Sequence, residues 1–356
     1  MRWIKHSLLL LVMAVTLLSG CGSGVINKIY DKAREEKYVT VNGVKLHYLD
    51  WGGSGEPILF LAGLGCNAHI YDDLAVRFKN NYHPLALTRR GFGQSDQPQG
   101  VEIISEDPLQ VQSHGNYTVQ KLVEDIIGLL DQLGIQKVHL VGHSMAGNEL
   151  TYLAAHYPNR VGKIIYLDAG FNYALFADND EELPDSIAEP SPTEEDYQTV
   201  AKYKAFYKRL NFGNSMEWSF PLEENFNHDI IVGPNGSVTP RTDITVLFDI
   251  SQCKDAYYAE LADVKAPVLA IYAIPGSIFQ ALPWLPTDIN GTAKADAENY
   301  LNQIQVQLRN WTTTFKSLVP HAEVQVWENN THYFFLQNSA YATNVASEIT
   351  IFLNKN

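Results

Sequence analysis

From Tyr38 to Asp50 apolar and polar residues alternate on both sides of Asn42-Gly43. An Asn-Gly pair between β-rich runs predicts a hairpin. Ile58–Ala62 is a short apolar run closed by Gly63, which predicts a buried strand. A helix-like stretch covers Ile70–Phe78, and Pro84–Thr88 is the next strand candidate. Thr118–Leu133 is the clearest amphipathic helix: Leu122, Ile126, Leu129, Leu130 and Leu133 recur at helical spacing, and Gly134 stops it. Val138–Val141 reads as a buried strand, Met145–His156 as a helix ended near Pro158, and Lys163–Asp168 as a strand. Strand and helix therefore alternate after the hairpin. That order predicts an α/β chain with a mostly parallel sheet covered by helices.

The alternation breaks over residues 170–262. This stretch carries acidic runs, several prolines, one good helix (Glu194–Leu210) and the aromatics Phe171, Tyr173, Phe176, Trp218 and Phe220. It then resumes: Pro267–Ala273 as a strand, Ala295–Leu318 as mostly helix, Glu323–Trp327 as a strand and Ala340–Leu353 as a closing helix. The expected organisation is a core in two parts, 38–169 and 263–356, with 170–262 inserted as a cap over one end of the sheet. No internal repeat or low-complexity tract interrupts it.

The amino terminus follows other rules. Arg2 and Lys5 precede an apolar run of 11 residues, Leu8–Leu18. That run is too short for a membrane-spanning helix, which needs ~20 residues. The layout is that of an export signal over residues 1–20. Leu18-Ser19-Gly20-Cys21 resembles the bacterial lipobox, whose cysteine becomes the lipidated first residue, carrying fatty acyl chains such as palmitate. The expectation is a body lipid-anchored through Cys21 in the cell envelope, on a tether over residues 21–37; Gly22 favours the outer membrane if the source has one. With 26 basic and 40 acidic residues the formal charge is −14. This disfavours nucleic-acid binding, which relies on clustered Lys and Arg. Three cysteines exclude a disulfide-dense scaffold, and no Cys/His spacing matches a zinc motif. Cys66 and Cys253 stand as unpaired thiols or as one pair.

The chemistry sits at Gly142-His143-Ser144-Met145-Ala146-Gly147, between a predicted buried strand and a predicted helix. That is the context of a nucleophile elbow, a sharp turn that holds a serine at the carboxyl edge of a sheet. Small residues are needed because strand and helix approach closely there. Position 146 is Ala where the G-x-S-x-G pattern has Gly.

Four segments together resemble the α/β-hydrolase fold with a cap: F-L-A-G-L-G (60–65), T-R-R-G-F-G-Q-S-D (88–96), V-G-H-S-M-A-G (141–147) and N-N-T-H-Y-F-F (329–335). The resemblance runs from about Val39 to Leu353. It implies Ser144 as nucleophile, His332 as general base, and the backbone N–H groups of Leu64 and Met145 as the oxyanion hole. The turn at 62–63 reads Ala-Gly where the family often has His-Gly, a change that a main-chain donor tolerates. The third member of the triad stays open. The family usually places its acid after the penultimate strand, where Ile271–Ser277 offers no carboxylate. Asp168, after the strand that follows the nucleophile helix, is the favoured candidate; Asp288 is the alternative.

The activity implied is hydrolysis of a small or medium apolar acyl compound, most simply a carboxylic ester, through an acyl-enzyme, with no metal or organic cofactor. Lactones, amides and carbon–carbon bonds next to a carbonyl use the same machinery. Epoxide hydrolases and haloalkane dehalogenases of the fold use an Asp nucleophile, where this chain has Ser144. A catalytically silent surface-binding protein is the reading from another class. A dinucleotide site is the decoy: Gly63-x-Gly65-x-x-Ala68 has the fingerprint spacing, with Arg89 and Arg90 placed to hold a 2′-phosphate.

Overall fold

The computed structural model describes residues 33–104, 111–171, 183–213, 216–251 and 258–355. The expected signal segment, Cys21, Tyr173, Phe176 and Cys253 lie outside these residues. Eight strands form the main sheet. They are β1 (Glu35–Val41), β2 (Val44–Asp50), β3 (Glu56–Leu61), β4 (Tyr82–Leu87), β5 (Val138–His143), β6 (Val161–Leu167), β7 (Val268–Ile274) and β8 (Glu323–Glu328). Their order across the sheet is β1-β2-β4-β3-β5-β6-β7-β8. β1, β2 and β4 pair antiparallel, and every pairing from β4 to β8 is parallel.

Local sequence explains the elements. Asn42 and Gly43 both take positive φ, 51° and 76°, so the hairpin turn matches strand twist and puts Val41 opposite Val44. Helix α1 (Val119–Gln132) is capped by the Thr118 hydroxyl, which accepts from the Lys121 N–H. Strand residues alternate between two cores, as a period of two requires. Leu59 and Leu61 face one layer with α1, α2 (Ala146–His156) and the long α6 (Gly291–Leu318). Ile58 and Phe60 face the other, with the short helical turns of residues 68–78 and the closing helix α7 (Ser339–Leu353).

Between β6 and β7 the described chain adds no strand to the main sheet. It forms α3 (Val200–Phe212), α4 (Phe220–His228), a small hairpin (Ile230–Val232 with Val238–Pro240) and α5 (Ile244–Ser251). The helix expected over Glu194–Leu210 starts later, because the Thr199 hydroxyl accepts from the Lys202 N–H and caps α3 there. The stretch expected as a helix over Ile70–Phe78 is broken into short 3-10 and α turns. No helix among the described residues is long and apolar enough to cross a membrane.

Candidate active site

β5 ends at His143 and α2 starts at Ala146, leaving two residues to reverse the chain. Ser144 makes that turn with φ of 54°, in the left-handed region that costs a residue with a Cβ. The turn is held on both sides: the Ser144 N–H donates to the Leu167 carbonyl at 3.2 Å, and the Gly147 N–H donates to the Ser144 carbonyl at 2.9 Å. The close approach falls on Gly147. A Cβ there would lie 2.3 Å from the Gly170 backbone nitrogen, so α2 can pack on the end of β6 only with glycine. Ala146 is fully buried and its methyl group fits, which accounts for the departure from Gly at that position.

Asp168 follows β6 directly, also at positive φ (43°). Its carboxylate is fixed at both oxygens. Oδ1 accepts from the Ala273 N–H at 3.0 Å, and Oδ2 lies 2.5 Å from His332 Nδ1. Asp168 is buried, whereas the His332 side chain is 41% exposed. An imidazole held at Nδ1 by a buried carboxylate presents Nε2 outward as a base. Asp288 is exposed in the loop before α6. The structure thus brings Asp168, not Asp288, to His332.

Ser144 and His332 are joined through a residue that sequence reasoning passed over. His143 is fully buried, and its Nε2 donates to the His332 carbonyl at 3.0 Å. Its ring lies 4.4 Å from that of His332. Burial, with His332 beside it, holds the His143 pKa well below its ordinary value, so it stays neutral and serves as a fixed strut. Tyr71 locks the same strand end from below, donating to the Leu61 carbonyl at 2.7 Å and accepting from the His143 backbone N–H.

The turn after β3 approaches the elbow. A Cβ on Gly63 would lie 3.0 Å from the Ser144 Cβ, so the Gly63–Leu64 backbone runs in contact with the serine. Met145 precedes the first residue of α2, at the positive end of its dipole. A buried ion pair holds this turn against α2. Arg89 meets Glu149 of α2 through two bonds of 2.6 and 2.8 Å and donates to the Ala62 carbonyl at 2.9 Å. Arg90 is likewise consumed, bidentate to Asp125 of α1 at 2.6 Å on both oxygens. Neither arginine is available to a cofactor phosphate, and the 63–68 segment is part of this site. The dinucleotide reading fails on both counts. The signal was present in T-R-R-G, but only the fold supplies its partners.

A cavity of about 210 Å³ opens beside His332. Leu210, Phe212 and Met216 wall it from the insertion, and Pro283 and Trp284 from the loop after β7; Ser144 is not a lining residue. Beneath the insertion Cys66 is a free buried thiol, pushed up to about 12 by burial. The carboxyl oxygens of Asp229 are buried as well. Burial pushes that group up to about 7, and the amides of Asn67 and Asn225 pull against it only in part.

A sequence model described as alpha/beta hydrolase fold matches residues 56–221. Among solved structures, E-2-(acetamidomethylene)succinate hydrolase superposes with a TM-score of 0.64 at 18% identity, over 90% of this chain and 100% of that one. The chain has the α/β-hydrolase fold. A membrane phospholipase A of the same fold superposes with a TM-score of 0.57 at 16% identity, over 99% of this chain and 100% of that one. Sequence relatives include a fluoroacetate dehalogenase from Burkholderia sp, 30% identical over 41% of this chain and 44% of its own length. Another is a 2-hydroxy-6-oxononadienedioate/2-hydroxy-6-oxononatrienedioate hydrolase from Paraburkholderia phymatum, 31% identical over 40% and 47% respectively. The chain spans less than half the length of the curated relatives it matches.

Proposed function

We propose that the chain is a serine hydrolase. Ser144 Oγ attacks a carbonyl carbon while His332 Nε2 takes its proton. Asp168 keeps the Nδ1–H in place and stabilises the imidazolium. The Leu64 and Met145 N–H groups receive the oxyanion. The tetrahedral adduct collapses to an acyl-enzyme as His332 returns the proton to the leaving group. Water, activated by the same imidazole, then releases the acid. The observation that carries this reading is the 2.5 Å contact between His332 Nδ1 and the buried Asp168 carboxylate. It weighs against a silent binding protein, which rested on the lack of an acid after β7.

The modest volume beside His332, walled partly by Phe212, Met216 and Trp284 and partly by Glu189, Asn211 and Gln280, favours a small or medium acyl substrate, with a carboxylic ester as the simplest. The relatives' names span a dehalogenase, epoxide hydrolases, a putative carbamate hydrolase and a hydrolase of an oxononadienedioate, so the bond cleaved is the finer part of the proposal. Cys21 is the proposed lipid attachment, which would hold the body at a membrane of the cell envelope. Residues 170–262 are the proposed cap.

The test is active-site labelling of the full-length chain with a fluorophosphonate, followed by p-nitrophenyl esters of increasing length. Wild type is expected to label and turn over. Ser144→Ala is expected to lose labelling and at least 10³-fold in kcat. A wild type that does not label sinks the proposal. Incorporation of labelled palmitate that survives Cys21→Ser would sink the anchor.

A further inference from the structure

A second cluster of imidazoles and carboxylates lies outside the Ser144 site and shares no residue with it. His47 on β2 and His69 in the turn after β3 are buried to 1% and 0% exposure. Their Nε2 atoms have no hydrogen-bond partner. Leaving a buried polar nitrogen unsatisfied costs about 1–3 kcal/mol. Two such atoms facing one place therefore call for a missing partner. Glu36 on β1 stands at that place, one carboxylate oxygen 3.9 Å from His47 Nε2 and the other 3.9 Å from His69 Nε2.

We propose that Glu36, His47 and His69 bind a divalent transition-metal ion, with zinc the metal that the donor set suits best. Each imidazole has its other nitrogen engaged, as metal-ligating histidines do. His47 Nδ1 is 2.9 Å from the Thr88 hydroxyl, and His69 Nδ1 is 3.1 Å from Asp72 Oδ2. His69 Nδ1 also lies 3.0 Å from Arg34 Nη2, which can only donate. Metal binding therefore requires the tautomer in which Nδ1–H donates to Asp72 and the Nε2 lone pair is left for the ion; His47 does the same with Nδ1–H toward Thr88. Burial, which disfavours the imidazolium, keeps both rings neutral. The charge also fits. Asp72 at 2.6 Å and Glu224 at 3.1 Å hold Arg34, so with Glu36 the cluster has three carboxylates against one guanidinium. A divalent cation neutralises the excess. Tetrahedral zinc with bonds of ~2.0–2.1 Å puts its ligands about 3.3 Å apart. The donor atoms lie within 4.8 Å of one another, so binding draws them together, with Glu36, the surface member, the one that swings in.

The site would act as a staple. His228 of α4 stacks on His69 with ring centroids 4.0 Å apart, and with Glu224 brings a second carboxylate–imidazole pair against the same ring. The ion would then join strands β1 and β2 to the turn after β3, with the inserted helix packed on the ligand ring of His69. Glu36, His47 and His69 are too far apart in sequence to form a motif, which is why spacing alone showed no zinc site.

The experiment uses the untagged full-length chain, stripped with EDTA, desalted and titrated with zinc chloride in a calorimeter, with bound metal counted by atomic emission. One zinc per chain is expected, with a rise in melting temperature on loading. His69→Gln is expected to lose at least 100-fold in affinity. Glu36→Gln is expected to lose at least 10-fold while its melting temperature in EDTA stays that of wild type, so a folding defect in the first variant does not decide the matter. Wild type that takes up no stoichiometric zinc, or uptake undiminished in both variants, overturns the proposal.

Discussion

Two sets of histidines and carboxylates share this molecule, and they differ in where the imidazole faces. At the elbow, His332 is tied to one carboxylate and leaves its far side exposed to solvent and the cavity. At the sheet edge, His47 and His69 are sealed from solvent and their far nitrogens converge on Glu36. Both devices fix an imidazole by its Nδ1. On the proposed readings, one offers Nε2 to a substrate proton, which must come and go, and the other offers it to a metal ion that stays. The same residue types give a base or a ligand set according to access, and access is decided by the fold.

The sharpest way to break this contrast is at the carboxylates. Asp168→Asn should leave the backbone in place but lower kcat about 10³–10⁴-fold, because the imidazolium loses its counter-charge and its tautomer is no longer set. Asp288→Asn, exposed and apart from His332, should stay within two-fold; pre-steady-state acylation of the two variants separates them. Arg89→Met tests whether the site depends on the buried pair beneath it. It strands Glu149 without a partner, and urea titration should show a loss of about 3–5 kcal/mol. The double variant Arg89→Met with Glu149→Leu should recover most of that, and failure to recover would mean the arginine acts through the Ala62 carbonyl instead.

A smaller effect lies between the two clusters, at Asp229. Its carboxyl keeps a proton in the folded chain up to about pH 7, but releases it near 3.8 when unfolded. The folded state therefore binds more protons across that window, and stability falls as pH rises through it, flattening above about 7. Between pH 5 and 7 the loss should be about 2 kcal/mol, at 1.36 kcal/mol for each pH unit. Asp229→Asn should remove this slope in a series of melts. A slope unchanged in the variant would assign the protons elsewhere.

Much of this was legible in the sequence. Asn42-Gly43 announced the hairpin, Thr118 and Gly134 bracketed α1, and the period-two runs located the strands to within a few residues. Ser144 could be read because glycine and alanine crowd only where a strand turns sharply into a helix. The remainder depended on long-range pairing. Asp168 could not be told from Asp288 until β6 and β7 lay side by side and the Ala273 N–H fixed its carboxylate. Arg89 and Arg90 looked like phosphate ligands until α1 and α2 supplied Asp125 and Glu149. The insertion was least legible: α4 and α5 are short and packed by aromatic contacts, with little periodicity to mark them.

The positive φ of Ser144 has an evolutionary side. A left-handed backbone position penalises β-branched residues most and tolerates aspartate comparatively well. A threonine nucleophile is therefore barred at this corner by the main chain before any question of reactivity arises. An aspartate could enter the same socket at little conformational cost. One corner of one sheet can then pass between hydroxyl and carboxylate attack through single substitutions. The backbone at this corner is thus a mount that could hold either nucleophile, and in this chain its occupant is a serine.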